Sequence, residues 1–370
     1  MSPETGDGIS RALEQNRQEA VITVAELGEF GLIAAIQSLL PADDTLAVAD
    51  GDDAAVLLIP DGRVVATTDL LVEGRHFRRD WSGPADVGVK AAAQNMADVA
   101  AMGARPRTLL VGLACPGELP AEWVLEMMRG LVAECRRGGA SVAGGDVTAA
   151  GSIMLGITAL GDLAGLAPVV RGGARPGDQV AIAGRIGWSA AGLALFRAGL
   201  VAGTAAAGAG AAAAGGAGAA GAGAAGTAGV GGPGGLGAAL ESAVAAHRRP
   251  QPPYSAGPAA AIAGATAMAD VSDGLLQDLG HIAAASGVGI DLDAAALPAS
   301  APVTAAAAAL GARWQDWVLG GGEDHALVAT FPPQTALPPG WTAIGTARPG
   351  DGVTVDGAVW NGPAGWDHFR

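Results

Sequence analysis

The sequence predicts a two-domain protein of mixed helix and sheet. Three observations carry that expectation. The chain has 370 residues, more than one ordinary domain needs. Half of it is hydrophobic, enough to bury a substantial core. Strand-like and helix-like apolar runs alternate on both sides of a Gly- and Pro-containing passage at 162–170, a natural boundary. The reading therefore divides the chain into a loosely ordered tail (1–24), an N-terminal domain (25–165) and a C-terminal domain (166–370).

Composition narrows the function classes. With 36 acidic and 21 basic residues the net charge is −15, which disfavours nonspecific attraction to nucleic acid or anionic membranes. Lys90 is the sole lysine, within Val87-Gly88-Val89-Lys90-Ala91, so neither a P-loop lysine nor the strand lysine of protein kinases is present. Phosphate chemistry here would rest on metals, arginines and backbone amides. Cys115 and Cys135 lack CxxC spacing and read as buried reduced thiols. The first 25 residues carry Glu4, Asp7, Arg11, Glu14, Arg17 and Glu19 and lack the apolar core of a signal peptide. No run has the large apolar side chains of a membrane span. A cytoplasmic location with no membrane or nucleic-acid partner is expected.

Leu27–Ile33 opens the folded part as a short helix. Ala54–Ile59, the turn Pro60-Asp61-Gly62 and Val64–Ala66 then read as a hairpin. Antiparallel pairing would bring Asp53 and Asp69 to one sheet edge, where each could meet a metal ion, with the hydroxyls of Thr67 and Thr68 beside them. Asp86–Met102 is an alanine-rich helix stopped by Gly103. Asn95 and Asp98 interrupt its apolar surface on the face of Val87, Ala91 and Met102, and a metal ligand explains a carboxylate there better than a solvated face.

A strand (Thr108–Ala114), an amphipathic helix (Ala121–Arg137) and the stretch Ser141–Ala143 lead to Gly144-Gly145-Asp146, read as an acid at a strand tip where glycines permit close approach of a phosphate. Gly-Gly-Asp is also a common loop. A strand at Ile153–Leu160 follows.

Past the boundary come Arg171, a turn at Arg175–Asp178, the strand Gln179–Ala183 and a helix to about Leu200 with Ser189 as N-cap. Residues 201 to about 239 are almost wholly Ala and Gly, read as a mobile surface insertion or a loosely packed helical excursion that carries no chemistry. His247–Tyr254 is an extended connection. A strand ending in Asp270-Val271-Ser272-Asp273-Gly274 enters a helix marked by Leu275, Leu279 and Ile282, ended by Gly287. Amides at that helix start could face an anion while Asp270 and Asp273 face metals, or Ser272 or Asp273 could be a plain N-cap. Gly289–Leu292 is a strand, and Gly320-Gly321-Gly322 before Glu323 suggests backbone crowded against a ligand ahead of the strand Ala326–Phe331. Trp366 is either a stacking surface or a plug.

Six aspartates, Asp53, Asp69, Asp98, Asp146, Asp270 and Asp273, thus occupy strand ends, helix starts or an apolar helix. Brought together without a lysine they would repel one another unless Mg²⁺ neutralised them, and Mg²⁺ bridging phosphates points to phosphoryl transfer from a nucleotide.

From Gly28 to Phe369 the chain resembles the thiamine-monophosphate kinases, in the superfamily of aminoimidazole-ribonucleotide synthetase and selenophosphate synthetase. The resemblance rests on Gly28-Glu29-Phe30, Gly51-Asp52-Asp53-Ala54, the stretch from Thr68 to Phe77, the stretch from Asn95 to Ala104, Gly144-Gly145-Asp146, Asp270–Leu275, Gly321-Gly322-Glu323-Asp324 and Gly365–Phe369. It implies ATP-dependent phosphorylation of thiamine monophosphate to thiamine diphosphate. It also implies an N-terminal α/β domain whose strands pair across a homodimer, and a C-terminal α+β domain. By the resemblance Asp53, Thr67, Thr68, Asp69, Asp98, Asp146, Asp270 and Asp273 hold Mg²⁺, with Asp98, Asp146 and Asp273 as the catalytic set. Gly145, Asp146, Arg171 and Ser272 match positions contacting ATP; His76, Glu323 and Trp366 match positions around the thiamine phosphate.

The chain departs from the family pattern at His325 and Ala326, where Tyr and Glu are usual, and in its Ala/Gly tract. Selenophosphate synthetase would need a reactive Cys near the N-terminus, and none precedes Cys115. A purine-pathway synthetase is the enzyme alternative and a noncatalytic regulator the other, against which the six aspartates speak.

Overall fold

The computed structural model describes residues 21–43, 46–48, 54–201 and 235–366. Asp53, the tail through residue 20, the tract 202–234 and Asp367–Arg370 lie outside the described residues.

Thr23 and Glu26 form a reciprocal capping box on α1 (Val24–Leu27), and α2 (Glu29–Gln37) follows. The expected hairpin is not formed. The turn exists, with Gly62 N donating to Ile59 O, but the strands on its two sides join different sheets. Among the described residues β2 (Val56–Leu57) pairs only with β1 (Leu46–Val48), while β3 (Val65–Val72) pairs along its whole length with β6 (Met154–Asp162). Long-range pairing that buries Leu71 in the core wins over the local turn. β3 also runs through the acid, so Asp69 lies within the strand rather than after it.

β3 and β6 continue into β4 (Arg105–Cys115) and β5 (Ser141–Ala149), giving a four-stranded sheet of order β3-β6-β4-β5. Its inner face is covered by α3 (Pro84–Ala101), beyond which the left-handed Gly103 turns the chain, and by α4 (Ala121–Gly138). Gly144-Gly145-Asp146 is not a tip but part of β5, opposite Leu110, Val111 and Gly112.

The C-terminal part is a mixed six-stranded sheet of order β12-β9-β11-β7-β10-β8, from β7 (Gln179–Ala183), β8 (Ala267–Val271), β9 (Gly289–Leu292), β10 (Ala326–Phe331), β11 (Trp341–Arg348) and β12 (Val353–Val355). Its strands alternate between two cores. Ala181, Ala183, Met268, Leu327 and Phe331 join the core of α3 and α4. Val180, Ile182, Ala269, Val271 and Val328 face α5 (Trp188–Arg197), α6 (Leu236–Arg248), α8 (Leu275–Ser286), α9 (Ala301–Leu310) and α10 (Trp314–Gly320), which follows α7 (Ala256–Ile262). The fold is therefore a two-domain α/β arrangement in which helices of the first domain are sandwiched between the two sheets.

Two local expectations change. Gly187, not Ser189, is the N-cap of α5, and Ser189 instead meets the His247 ring, 3.0 Å away. The Ala/Gly tract ends earlier than 239, because α6 begins at Leu236.

Candidate active site

The period of two along β3 decides which side chains meet. Thr67 and Asp69 point with Leu71 toward α3, whereas Thr68 and Leu70 point to the open side of the sheet. On the inner side Thr67 Oγ1 donates to Asp98 Oδ2 at 2.8 Å. Fully buried Asn95 fastens strand to helix, accepting from Asp69 N at 3.0 Å through Oδ1 and donating to Ala91 O at 2.9 Å.

β8 and the turn after it bring Asp270 and Asp273 to the same place from the other domain. Burial, reinforced by Asp270 and Asp69, pushes the Asp98 carboxyl up to about 7. Asp69 is also raised, by burial first and then by Asp270 and Asp273, with His325 and His76 opposing. His325 lies inside this group, with Nδ1 3.2 Å from Asp270 Oδ2. Burial lowers its pKa, but the Asp270 contact, helped by Asp98 and Glu323, outweighs it and raises the imidazole above its usual value. Among the described residues no three Asp, Glu, His or Cys side chains converge tightly enough to form a ready ion cage. The donors are nevertheless oxygen-rich and mutually repelling, the chemistry that suits a hard cation.

The glycines before Glu323 are crowded by protein rather than by a ligand. A Cβ on Gly322 would collide with Ser272 O and one on Gly321 with Trp317 O. Glu323 N donates to Ser272 O at 2.7 Å and His325 N to Val271 O at 3.1 Å, so the loop lies directly on the Asp270–Asp273 segment with Glu323 and His325 in left-handed conformations. Two amides just ahead of α8 are already engaged. Asp278 Oδ2 accepts from Asp273 N and Gly274 N, and neither Ser272 nor Asp273 caps the helix. Asp278 was missed by the sequence reading, although an acid in a first helical turn is the signal for such a contact.

A second polar group borders the acids. Lys90 Nζ donates to His76 O at 3.0 Å and to Glu323 Oε2 at 3.1 Å, joining the two domains. His76 Nδ1 accepts from Val72 N at 3.0 Å. Glu323 falls to about 2: burial works against this, and Lys90 followed by His247 outweighs it. Burial, with Lys90, lowers His247 itself to about 3, so it is neutral at pH 7 and the lysine carries the effect on Glu323. Trp366 is 48% exposed, and its backbone donates to Asp273 O and accepts from Gln277 Nε2.

Four candidates, Thr68, Gly145, Asp146 and Arg171, stand apart from this cluster. Leu70, Gly156, Gly112 and Asp146 occupy one row across the four strands, and Thr68 lies in the adjacent open-face row opposite Thr158. Asp146 is exposed and, among the described residues, makes no hydrogen bond or ion pair with the clustered acids. β3 and β5 are also three strand spacings apart, about 14 Å. Gly145 lies beside Asp146 on β5, and Arg171 is exposed, its carbonyl accepting from Ser286.

The chain is similar to known proteins in sequence and in fold. Residues 51–163 match the family model described as AIR synthase related protein, N-terminal domain. The chain is 44% identical over 352 residues to the thiamine-monophosphate kinase of Mycobacterium tuberculosis, covering 94% of this chain and 93% of that protein. It is 38% identical over 353 residues to the thiamine-monophosphate kinase of Corynebacterium glutamicum, covering 94% and 95%. Among solved structures, thiamine-monophosphate kinase from Stenotrophomonas maltophilia superposes with a TM-score of 0.70 at 30% identity, covering 89% of this chain and 96% of that one. AaThiL complexed with AMPPCP and TMP gives 0.69 at 30% identity, covering 93% and 98%.

Proposed function

Because the chain belongs to the thiamine-monophosphate kinase family, we propose that it transfers the γ-phosphoryl of ATP directly to thiamine monophosphate, giving thiamine diphosphate, with Mg²⁺ as its metal. The observation that supports this reading is the convergence of Asp69 and Asp98 from one domain on Asp270 and Asp273 from the other. The complex of a relative with AMPPCP, an ATP analogue, and TMP accords with the same pair of substrates.

The acceptor is a phosphate monoester with a second pKa of about 6, mostly dianionic at neutral pH, so no strong general base is needed. Mg²⁺ held by Asp69, Asp98, Asp270 and Asp273, with Thr67 beside them, would screen two like-charged phosphates. The chain's own residues do the rest. Thr67 steers the Asp98 carboxylate and Asn95 holds the Asp69 backbone amide against α3; His76 lies beside the acceptor phosphate; Glu323 takes the amino-pyrimidine or the cationic thiazolium; half-exposed Trp366 offers a ring face to that cation. Asp53 belongs to the same proposed metal set. Ser272, Arg171, Gly145 and Asp146 are the proposed ATP contacts, with Asp146 and Thr68 as metal ligands on the open sheet face and Asp98, Asp146 and Asp273 as the catalytic set.

We read that open face as a homodimer interface. Leu70 (56% exposed), Met154 (38%) and Leu110 (37%) leave an apolar surface on an otherwise acidic protein. Among the described residues no helix is long and apolar enough to cross a membrane, and the proposed place of action is the cytoplasm.

The test is ADP release from ATP and Mg²⁺ with thiamine monophosphate, with free thiamine as a parallel acceptor and the product identified by mass. Thiamine diphosphate formed only from the monophosphate is expected. A folded, nucleotide-binding protein that phosphorylates neither acceptor would overturn the reading.

A further inference from the structure

The sole lysine of the chain sits inside the protein, 2% exposed, on the sandwiched helix α3. A buried ammonium is costly unless it is paired and hydrogen-bonded. Its two acceptors are the carbonyl of His76, on the turn after β3, and the carboxylate of Glu323, on the loop before β10. These segments belong to different domains. By the family resemblance His76 and Glu323, one from each segment, lie around the acceptor substrate, and the motifs assign Lys90 no role.

We infer that Lys90 is a positioning residue for the acceptor end of the site, holding the His76 turn and the Glu323 carboxylate in one fixed relation to the acid cluster further along α3. The inference rests on the proposed thiamine-monophosphate kinase activity. Asp98 is eight residues further along the same helix, about 12 Å along the axis. One rigid element therefore carries an anchor for the groups proposed around the acceptor and an acid proposed beside the phosphates, and sets the spacing between them.

The surroundings leave Lys90 little competition for Glu323. His247 Nδ1 lies 3.6 Å from the same Oε2, but its ring is neutral and engaged by Ser189 Oγ at 3.0 Å. Glu323 is held in a left-handed conformation with its amide tied to Ser272 O, so its backbone is fixed by one domain and its side chain by the other. Only a charged donor on a long stem reaches both the turn carbonyl and the carboxylate from within a packed helix. The role is distinct from catalysis: Lys90 touches neither reacting phosphate in this reading and acts through Glu323 and His76.

The experiment compares wild type, Lys90→Met, Lys90→Arg, Glu323→Gln and the double variant Lys90→Met/Glu323→Gln. Calorimetry reads binding of thiamine monophosphate and, separately, of an ATP analogue with Mg²⁺; steady-state kinetics reads KM for each substrate. Lys90→Met is expected to weaken acceptor binding and raise acceptor KM about ten-fold or more, leave ATP-analogue affinity unchanged, and be partly rescued in Lys90→Arg. The double variant is expected to lose less acceptor affinity than the two single losses combined, because part of the lysine's effect passes through the carboxylate and the rest through the His76 turn. Should Lys90→Met not fold, Lys90→Gln, which keeps a donor for the His76 carbonyl and drops the charge, carries the same expectation. Wild type that binds thiamine monophosphate while the folded Lys90 variants bind it equally well would overturn the lysine's role alone. Additive losses in the double variant would do the same. Wild type that binds no thiamine monophosphate would overturn both this inference and the activity it rests on.

Discussion

Thr67 Oγ1 and Asp98 Oδ2 are 2.8 Å apart and join β3 to α3 at the point where two carboxylates of the N-terminal domain meet two of the C-terminal domain. The hydroxyl steers one oxygen of Asp98, while burial and the neighbouring acids favour its neutral form. A cation at this place would reverse that preference. Replacing Asp98 by Asn keeps the shape and removes a charge. Turnover is expected to fall by at least about 100-fold, while the melting temperature without metal stays level or rises because a repelled carboxylate is gone. Turnover within a few-fold of wild type would remove Asp98 from the metal set.

Asn95 makes a second prediction, about the fold beneath the site. Its amide holds both Asp69 N and Ala91 O in a fully buried position. Asn95→Ala leaves the Asp69 amide without its acceptor. The expected loss is about 1–3 kcal/mol of unfolding free energy, read from urea midpoints. An unchanged midpoint would mean that the strand amide finds another acceptor.

The acids of the cluster were legible in the sequence because each interrupts an apolar run, and a burial penalty asks for a cation whatever the fold. Their partition was not legible. Whether Thr67 or Thr68 faces α3 depends on the strand's phase, fixed by pairing with a segment some 90 residues away, and local turn chemistry at Pro60–Gly62 pointed to the wrong partner. Gly144-Gly145-Asp146 reads as a strand tip in the sequence because the residues opposite it on β4 cannot be known from it. The same limit hid Lys90, Asp278 and His247, whose roles depend on contacts across domains or helices rather than on motif spacing.

Gly322 offers a third prediction, because backbone contact and not a ligand demands the glycine there. Gly322→Ala would drive a methyl into Ser272 O and push the Glu323 loop off the Asp270–Asp273 segment. Lower stability is expected together with a raised KM for the acceptor. A variant with wild-type kinetics and melting temperature would show that the loop relaxes freely.

His247 yields a fourth prediction, in pH. Its folded pKa of about 3 lies below the ordinary 6.5, chiefly through burial. Between these values the unfolded chain binds a proton that the folded one does not, so this residue makes stability rise with pH up to about 6.5 and fall on acidification. At pH 5 the loss relative to pH 7 is about 2 kcal/mol. Asp278 and Asp324, both pushed up to about 7 mainly by burial, pull the opposite way over pH 4–7. The histidine's share is therefore read as the difference between wild type and His247→Gln in urea midpoints at pH 5 and pH 7. Wild type is expected to lose more stability than the variant on going to pH 5; parallel profiles would mean that the ring is protonated in the native state.

The fifth prediction follows from the two sides of the N-terminal sheet. Asp98 meets the inner face and Asp146 occupies an open-face row, beside the apolar surface proposed to bind a second copy. If both aspartates serve one active site, they reach it from different subunits. Asp98→Asn and Asp146→Asn proteins, each inactive alone, should then complement on subunit exchange. A mixed dimer would contain one site with both substitutions and one with neither, so an equal mixture recovers about a quarter of wild-type activity. Activity that stays at the level of the separate variants, after exchange has been verified by mass, would place both aspartates in sites built from a single chain or exclude Asp146 from the site.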